Sequence, residues 1–210
     1  MLLAALATLV LAGSACSDGG SGDVAIDESQ TSAPAPVRPP APIPAGLVRT
    51  RDLATVMDTG SPELCLGPIA ESYPPQCGGP PLIGWEWAEH KNTYEEQGDV
   101  RWGTYSVTGT WDGAAFTATD AVSGALHDPV VPSESATPPA VKPLTDHQLG
   151  AIAEDLRDLL PGYLGAYGGE GTDGHVLADV LYDDGALQQW ADETYGPNVV
   201  IVSAALVDVG

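Results

Sequence analysis

The spacing of apolar residues changes several times along the chain, and each change marks a segment. An uncharged apolar run from Leu2 to Ala12, interrupted only by Thr8, comes first. From Ser17 to Ala45 there is no period: Gly, Ser and Asp give way to a Pro/Ala stretch, Ala33 to Pro44, that favours extended polyproline II. Leu47 to Met57 mixes β-branched, apolar and polar residues without helix spacing and is predicted as strand. Arg101 to Trp111 alternates, with Tyr105, Val107 and Trp111 on one face and Thr104, Ser106, Thr108 and Thr110 on the other. Asp112-Gly113 then offers the two left-handed positions of a tight turn, and Phe116 to Thr119 returns, which predicts a hairpin.

After Leu144 the period becomes helical. Thr145 and Gln148 form a capping box, and Leu149, Ile152, Ala153, Leu156, Leu159 and Leu160 form one apolar stripe that stops at Pro161-Gly162. Val176 to Tyr182 reads as a strand. Asp184 to Tyr195 reads as a short helix with Leu187, Trp190, Ala191 and Tyr195 facing inward, ended by Gly196-Pro197. Val199 to Val209 is nearly all apolar, as in a strand buried on both faces. A helix joining two strands predicts a right-handed parallel crossover. Two strands cannot close a core, so this block needs a strand from elsewhere or from a partner.

The pattern therefore predicts an α+β protein. A small Trp-rich antiparallel β domain, barrel-like in the manner of an oligonucleotide/oligosaccharide-binding fold, covers 46–122, and an α-β-α-β module covers 144–210. A Pro/Ser-rich linker, 123–143, separates them, and 16–45 is a tether behind a signal peptide at 1–15.

The opening run holds eleven residues, too few for a bilayer, which takes about 20 in a helix. It has the length of a secretory signal core and leads through Gly13, Ser14 and Ala15 to Cys16, the pattern of bacterial lipoproteins. There cleavage precedes the Cys, whose sulfur carries diacylglycerol. An ordinary secretory signal cut after Ala15 also satisfies the small-x-small rule. The cysteine count favours lipidation: with Cys16 acylated, Cys65 and Cys77 remain as an even pair for an oxidising compartment. Their bridge closes a loop worth roughly 3 kcal/mol in the chain-entropy model, less where Pro68, Pro74 and Pro75 already stiffen it. Two Cys without a second close pair make a poor zinc site.

Charge narrows the partners. Against 29 acidic residues stand 7 basic ones, a formal charge of -22, so nucleic acid and anionic lipid are repelled. The segment before Gly46 carries -3, 46–122 carries 11 acids and 4 bases (-7), and the chain from Gly124 onward 14 and 2 (-12).

The stretch from Glu63 through Cys65-Leu66-Gly67-Pro68-Ile69-Ala70-Glu71-Ser72-Tyr73-Pro74-Pro75-Gln76-Cys77-Gly78-Gly79-Pro80 to Gly84-Trp85 resembles one in uncharacterised exported proteins of actinobacteria. The block from Tyr182-Asp183-Asp184-Gly185 to Val207 is similar to their final block. The resemblance implies an extracytoplasmic location and carries no activity with it.

Candidate chemistry is thin. Gly169, Gly171 and Gly174 match G-x-G-x-x-G, but the motif follows a helix, precedes a strand and carries Glu170 and Asp173, so it reads as a loop. His90, His127, His147 and His175 lack metal-ligand spacing; His90, beside Glu86 and Glu89, is the best placed for a ligand and His147 is read as solvated. Ser72 has no nucleophile elbow, and no calcium loop is present. The carboxylate pairs Glu95-Glu96, Asp183-Asp184 and Asp192-Glu193 are unspecific in so acidic a chain, and Asp183-Asp184 reads best as a helix N-terminus. Trp85, Trp87 and Trp102, with Tyr73 and helped by Tyr94, are expected either to fill a small barrel or to form an aromatic binding surface for a sugar or apolar partner.

These readings describe an extracytoplasmic envelope protein, lipid-anchored to the outer face of the cell membrane, a non-catalytic binding or structural module without cofactor or metal. Its expected partners are the membrane, through the anchor, and a protein or cell-wall glycan. The alternatives are an envelope-polymer hydrolase using paired carboxylates and an accessory subunit that completes its sheet on another chain. Two acyl chains give stable anchoring where one gives marginal binding. Cys16→Ala should therefore move the protein from the membrane fraction to the medium and remove the acyl mass from its mature N-terminus, as fractionation and mass spectrometry will show.

Overall fold

The computed structural model describes residues 38–128 and 143–210. The signal peptide, Cys16, most of the tether and most of the 123–143 linker lie outside the described residues. Among those described, no helix is long and apolar enough to cross a membrane.

The fold is mostly β, a curled half-barrel sheet with two helices and a Trp-containing aromatic cluster. Ten strands build it: β1 (Val48–Thr50), β2 (Ala54–Asp58), β3 (Pro62–Cys65), β4 (Leu82–Ile83), β5 (Glu95–Gln97), β6 (Val100–Trp111), β7 (Phe116–Ser123), β8 (Tyr163–Gly168), β9 (Val176–Tyr182) and β10 (Val200–Asp208). The helices are α1 (Asp146–Leu159) and α2 (Ala186–Tyr195). The main path of the sheet runs β3-β2-β6-β1-β10-β9-β8.

The long strand β6 is the spine. Along one edge it pairs antiparallel with β2 over Arg101 to Tyr105, then with β1 over Thr108 and Gly109. Along the other it takes β5 over Val100 to Trp102 and β7 over Tyr105 to Trp111. The predicted hairpin is present, and its alternation is the expected one: Tyr105, Val107 and Trp111 are buried while Thr104 and Thr110 are exposed. Its turn differs from the expectation. Only Gly113 takes a positive φ, 96°; Asp112 instead uses its side chain, Oδ1 accepting from the backbone N–H of Ala114 and Ala115 at 2.8 Å each. A carboxylate able to close the turn in this way removes the need for a second left-handed residue.

In the C-terminal block α1 begins with the expected capping box, Thr145 and Gln148 serving each other's backbone N–H. β9 and β10 are parallel, from Val200 beside Val176 to Leu206 beside Tyr182. The α-β-α-β order is corrected to α-β-β-α-β, because Tyr163–Gly168 forms β8, antiparallel to β9. The Gly-rich segment after it, Gly169 to Gly174, is a loop as expected. The strand that the block needed comes from within the chain. β1 lies between β6 and β10, so the blocks 46–122 and 144–210 contribute to a single sheet.

Two main apolar clusters result. One holds Val48, Val56, Leu64, Tyr105, Val107, Trp111 and Phe116, and reaches Tyr182 and Leu206 of the C-terminal block. The other packs Leu149, Leu156, Leu187 and Trp190 of the helices on Val176, Ala178, Val180 and Val200. The end of the expected tether also touches the fold: Ala41, Pro42 and Ile43 line a cavity of about 240 Å³ with Trp111 and Leu181.

Gly109 sits where the β6–β7 ladder shifts register, and a Cβ there would meet the Thr117 carbonyl and come within 2.6 Å of the Phe116 ring. Gly109→Ala should lower stability to urea by about 2 kcal/mol or more, since the obstacle is backbone and a fully buried ring.

Candidate functional site

Side chains on β6 divide by parity. Odd residues face the main aromatic core, whereas Trp102 and Thr104 point to the opposite face, where β2 offers Met57 and Thr55 as neighbours. The loop that leaves β3 folds over that second face. It is closed by the disulfide between Cys65 and Cys77, whose Cα atoms are 5.9 Å apart, so the expected bridge is present. Within it Ala70 and Gln76 exchange backbone hydrogen bonds of 2.8 and 3.5 Å, and Ser72 Oγ donates to the Pro74 carbonyl at 2.8 Å. Ser72 thus serves the loop and holds no nucleophile geometry. Beyond the bridge Gly79 passes against the Leu64 carbonyl, an approach that any side chain would block, and Leu64 N–H donates to the Pro80 carbonyl.

The result is a small cluster of Met57, Cys65 and Trp102, with Cys77 against it and its Sγ 3.6 Å from Met57 Sδ. On top stands Tyr73, 68 % exposed, its ring edge-on to Trp102 with centroids 5.3 Å apart. Partial desolvation and then the Glu95 carboxylate push the Tyr73 phenol above its ordinary value. Beside this pair opens a groove of about 590 Å³ lined by Leu53, Pro75, Asn92, Glu95, Trp102 and Thr104. It combines an apolar wall with a carboxylate, an amide and a hydroxyl, and its size suits a small ligand.

The four expected surface aromatics do not share one surface. Tyr73 and Trp102 meet at the groove, but Trp85 and Trp87 are buried on the other side of the sheet, each 6 % exposed. Trp87 does not continue a strand; it opens a 3-10 turn, Trp87–Glu89, and its Nε1 donates to Asp58 Oδ2 at 2.9 Å. Trp85 packs edge-on to Tyr105 at 4.8 Å and to Trp87 at 5.5 Å. For these two, filling the interior wins, because burial removes large ring areas from water. Tyr94 packs on Trp87 at 4.8 Å and also lines the groove, so it links the two faces.

His90 is stacked flat on Trp85, with centroids 3.9 Å apart and planes 10° from parallel. Burial lowers its pKa below the ordinary value, against an opposing pull from Glu89. His147 is exposed, as expected, and His175 is buried with Nδ1 2.6 Å from the Asn198 carbonyl oxygen. Among the described residues no group of three or more His, Cys, Asp or Glu is placed to hold a metal ion. The paired acids are occupied separately. Glu96 pairs with Arg101 at 2.7 Å; Asp183 accepts from the N–H groups of Leu187 and Gln188, and Asp184 from that of Ala186, at the start of α2. Asp192 accepts from the Asn198 N–H and Glu193 from the Gln189 amide.

Glu95, Asn92, Pro75 and Thr104 were not singled out by the sequence as companions of Tyr73. One clue was available, the even parity that places Trp102 with Thr104 rather than with Tyr105. No protein family, curated protein or solved structure matches the chain.

A His whose folded pKa lies below its unfolded value binds its proton more readily when unfolded, so its contribution to stability is whole above about 6.5 and declines as pH falls through that value. His90→Phe keeps a ring on Trp85 and removes the titration. Between pH 7.5 and 5.5 the melting temperature of the native protein should fall relative to that of His90→Phe; parallel curves would refute the assignment.

Proposed function

We propose that the protein is a lipid-anchored component of the bacterial cell envelope, held outside the membrane through Cys16 and the 16–45 tether, and that its globular part is a binding module for a cell-wall glycan. The observation that supports this best is the groove beside the disulfide-closed loop. Tyr73 presents an exposed ring edge-on to Trp102, and Trp102 lines the adjoining groove with Glu95, Asn92 and Thr104. A sugar ring has an apolar C–H face and a rim of hydroxyls. The tyrosine face suits the first, and the carboxylate, amide and hydroxyl suit the second. The curled sheet is also compatible with the oligosaccharide-binding type of barrel suggested by the strand pattern, whose ligands lie across an open sheet face.

Lack of a strong positive surface is no obstacle to such a ligand, since hydroxyl recognition needs no ion pair. The tether would let the module reach polymer that stands away from the lipid.

Isothermal titration of the mature chain with soluble cell-wall glycan fragments tests the reading. Binding should weaken about tenfold in Tyr73→Ala, the equivalent of one aromatic contact, while the fold, followed by circular dichroism, stays unchanged. Absence of binding, or binding indifferent to Tyr73, would overturn it.

A further inference from the structure

The groove beside Tyr73 carries charge of one sign only. Among the residues that line it, Glu95 is the one charged group. Glu95 sits opposite Trp102 in the β5–β6 ladder, whereas the next residue, Glu96, sits opposite Arg101 and holds its guanidinium at 2.7 Å. Among the described residues Glu95 forms no ion pair. The two other cations near the groove in sequence do not neutralise it. Arg51 is engaged by Asp52 at 2.9 Å and by Ser203 at 2.6 Å, and Lys91 precedes Asn92 without lining the depression.

Desolvation, and after it the Glu95 carboxylate, raise the Tyr73 phenol, so the carboxylate lies close to that side chain. An open aromatic ring and an unpaired carboxylate therefore adjoin. A ligand seated there displaces water from Glu95. A neutral sugar hydroxyl returns a hydrogen bond and leaves the negative charge uncompensated, which is costly. An ammonium group compensates the charge and is also attracted to the negative face of the tyrosine ring. An acidic sugar meets Glu95 and the field of a chain of charge -22. Charge thus ranks the glycan classes, with amino sugars first and acidic sugars last.

We infer, on the reading of the groove as a glycan site, that it selects sugars carrying a free, protonated amino group, that is, amino sugars without an N-acyl substituent. Glu95 pairs with the ammonium, Tyr73 covers the C–H face beside it, and Asn92 and Thr104 serve neighbouring hydroxyls.

Isothermal titration of the mature chain with two tetrasaccharides tests this: a β-linked glucosamine tetramer and its fully N-acetylated form, at a pH low enough to protonate the sugar amine. At low salt the amine form should bind about tenfold more tightly, as one cation–π contact and one exposed ion pair would give. That advantage should shrink as salt rises. Glu95→Gln keeps the size of the side chain and removes its charge. It should reduce the advantage to about threefold or less, the share of the aromatic ring alone. An advantage that survives Glu95→Gln in full would belong to the net charge of the chain and overturn the assignment to the groove. Equal binding of both tetramers, or tighter binding of the acetylated one, with either still dependent on Tyr73, would overturn the amine preference and leave the glycan reading standing. Binding of neither tetramer would overturn both.

Discussion

The three residues of β1 hold the architecture together. Val48–Thr50 lies between β6 and β10 and pairs antiparallel with each. The pairing with β10 is carried further at both ends, Val209 N–H donating to Leu47 and Arg51 N–H to Ala205. Where the short ladder with β6 runs out, Thr50 Oγ1 accepts from Val107 N–H, so a buried donor is satisfied by a side chain instead of a strand. Val48 and Leu206, both fully buried, then make the apolar interior continuous between the N-terminal strands and the C-terminal block. Without β1, β10 would be an open edge of nine mostly apolar residues.

From that seam the two faces of β6 follow different rules. The odd face is closed, and its aromatic contacts are governed by filling space: Trp85, Trp87, Tyr105 and His90 meet edge to face or in a stack. Its one loose end is Trp85 Nε1, buried with no hydrogen-bond partner among the described residues. The even face is covered only in part, by the disulfide loop, and at the margin of that cover lie Tyr73 and the groove. A chemical surface exists there because the loop is too short to roof the whole face.

The large negative charge is distributed more than it is concentrated. Asp112, Asp183, Asp184 and Asp192 each satisfy backbone N–H groups at turns or helix ends, which lowers the cost of a carboxylate-rich chain at those places. The remainder gives long-range repulsion that keeps copies apart while opposing compaction. A continuous core and a covalent loop closure work against that second effect.

Much of this was legible in the residues. The β6–β7 hairpin, α1 with its capping box, β9, α2 and β10 were readable because each rests on a period or cap within a few residues. So did the Cys65–Cys77 pairing, which needed only parity, compartment and spacing. β8 was hidden because Gly165 and Gly168 interrupt any alternation, and its strand character comes from pairing with β9. The seating of β1 was equally invisible, since its partners lie about sixty residues away in β6 and about 160 away in β10. The division of the aromatics was decided last. Alternation sets Trp102 against Tyr105, but only the path of the 65–77 loop and the 3-10 turn at Trp87 determined which rings were sealed inside and which one, Tyr73, stayed open to solvent. Local hydrogen bonding and side-chain period are written in neighbouring residues; which side of a sheet is covered depends on where distant segments come to rest.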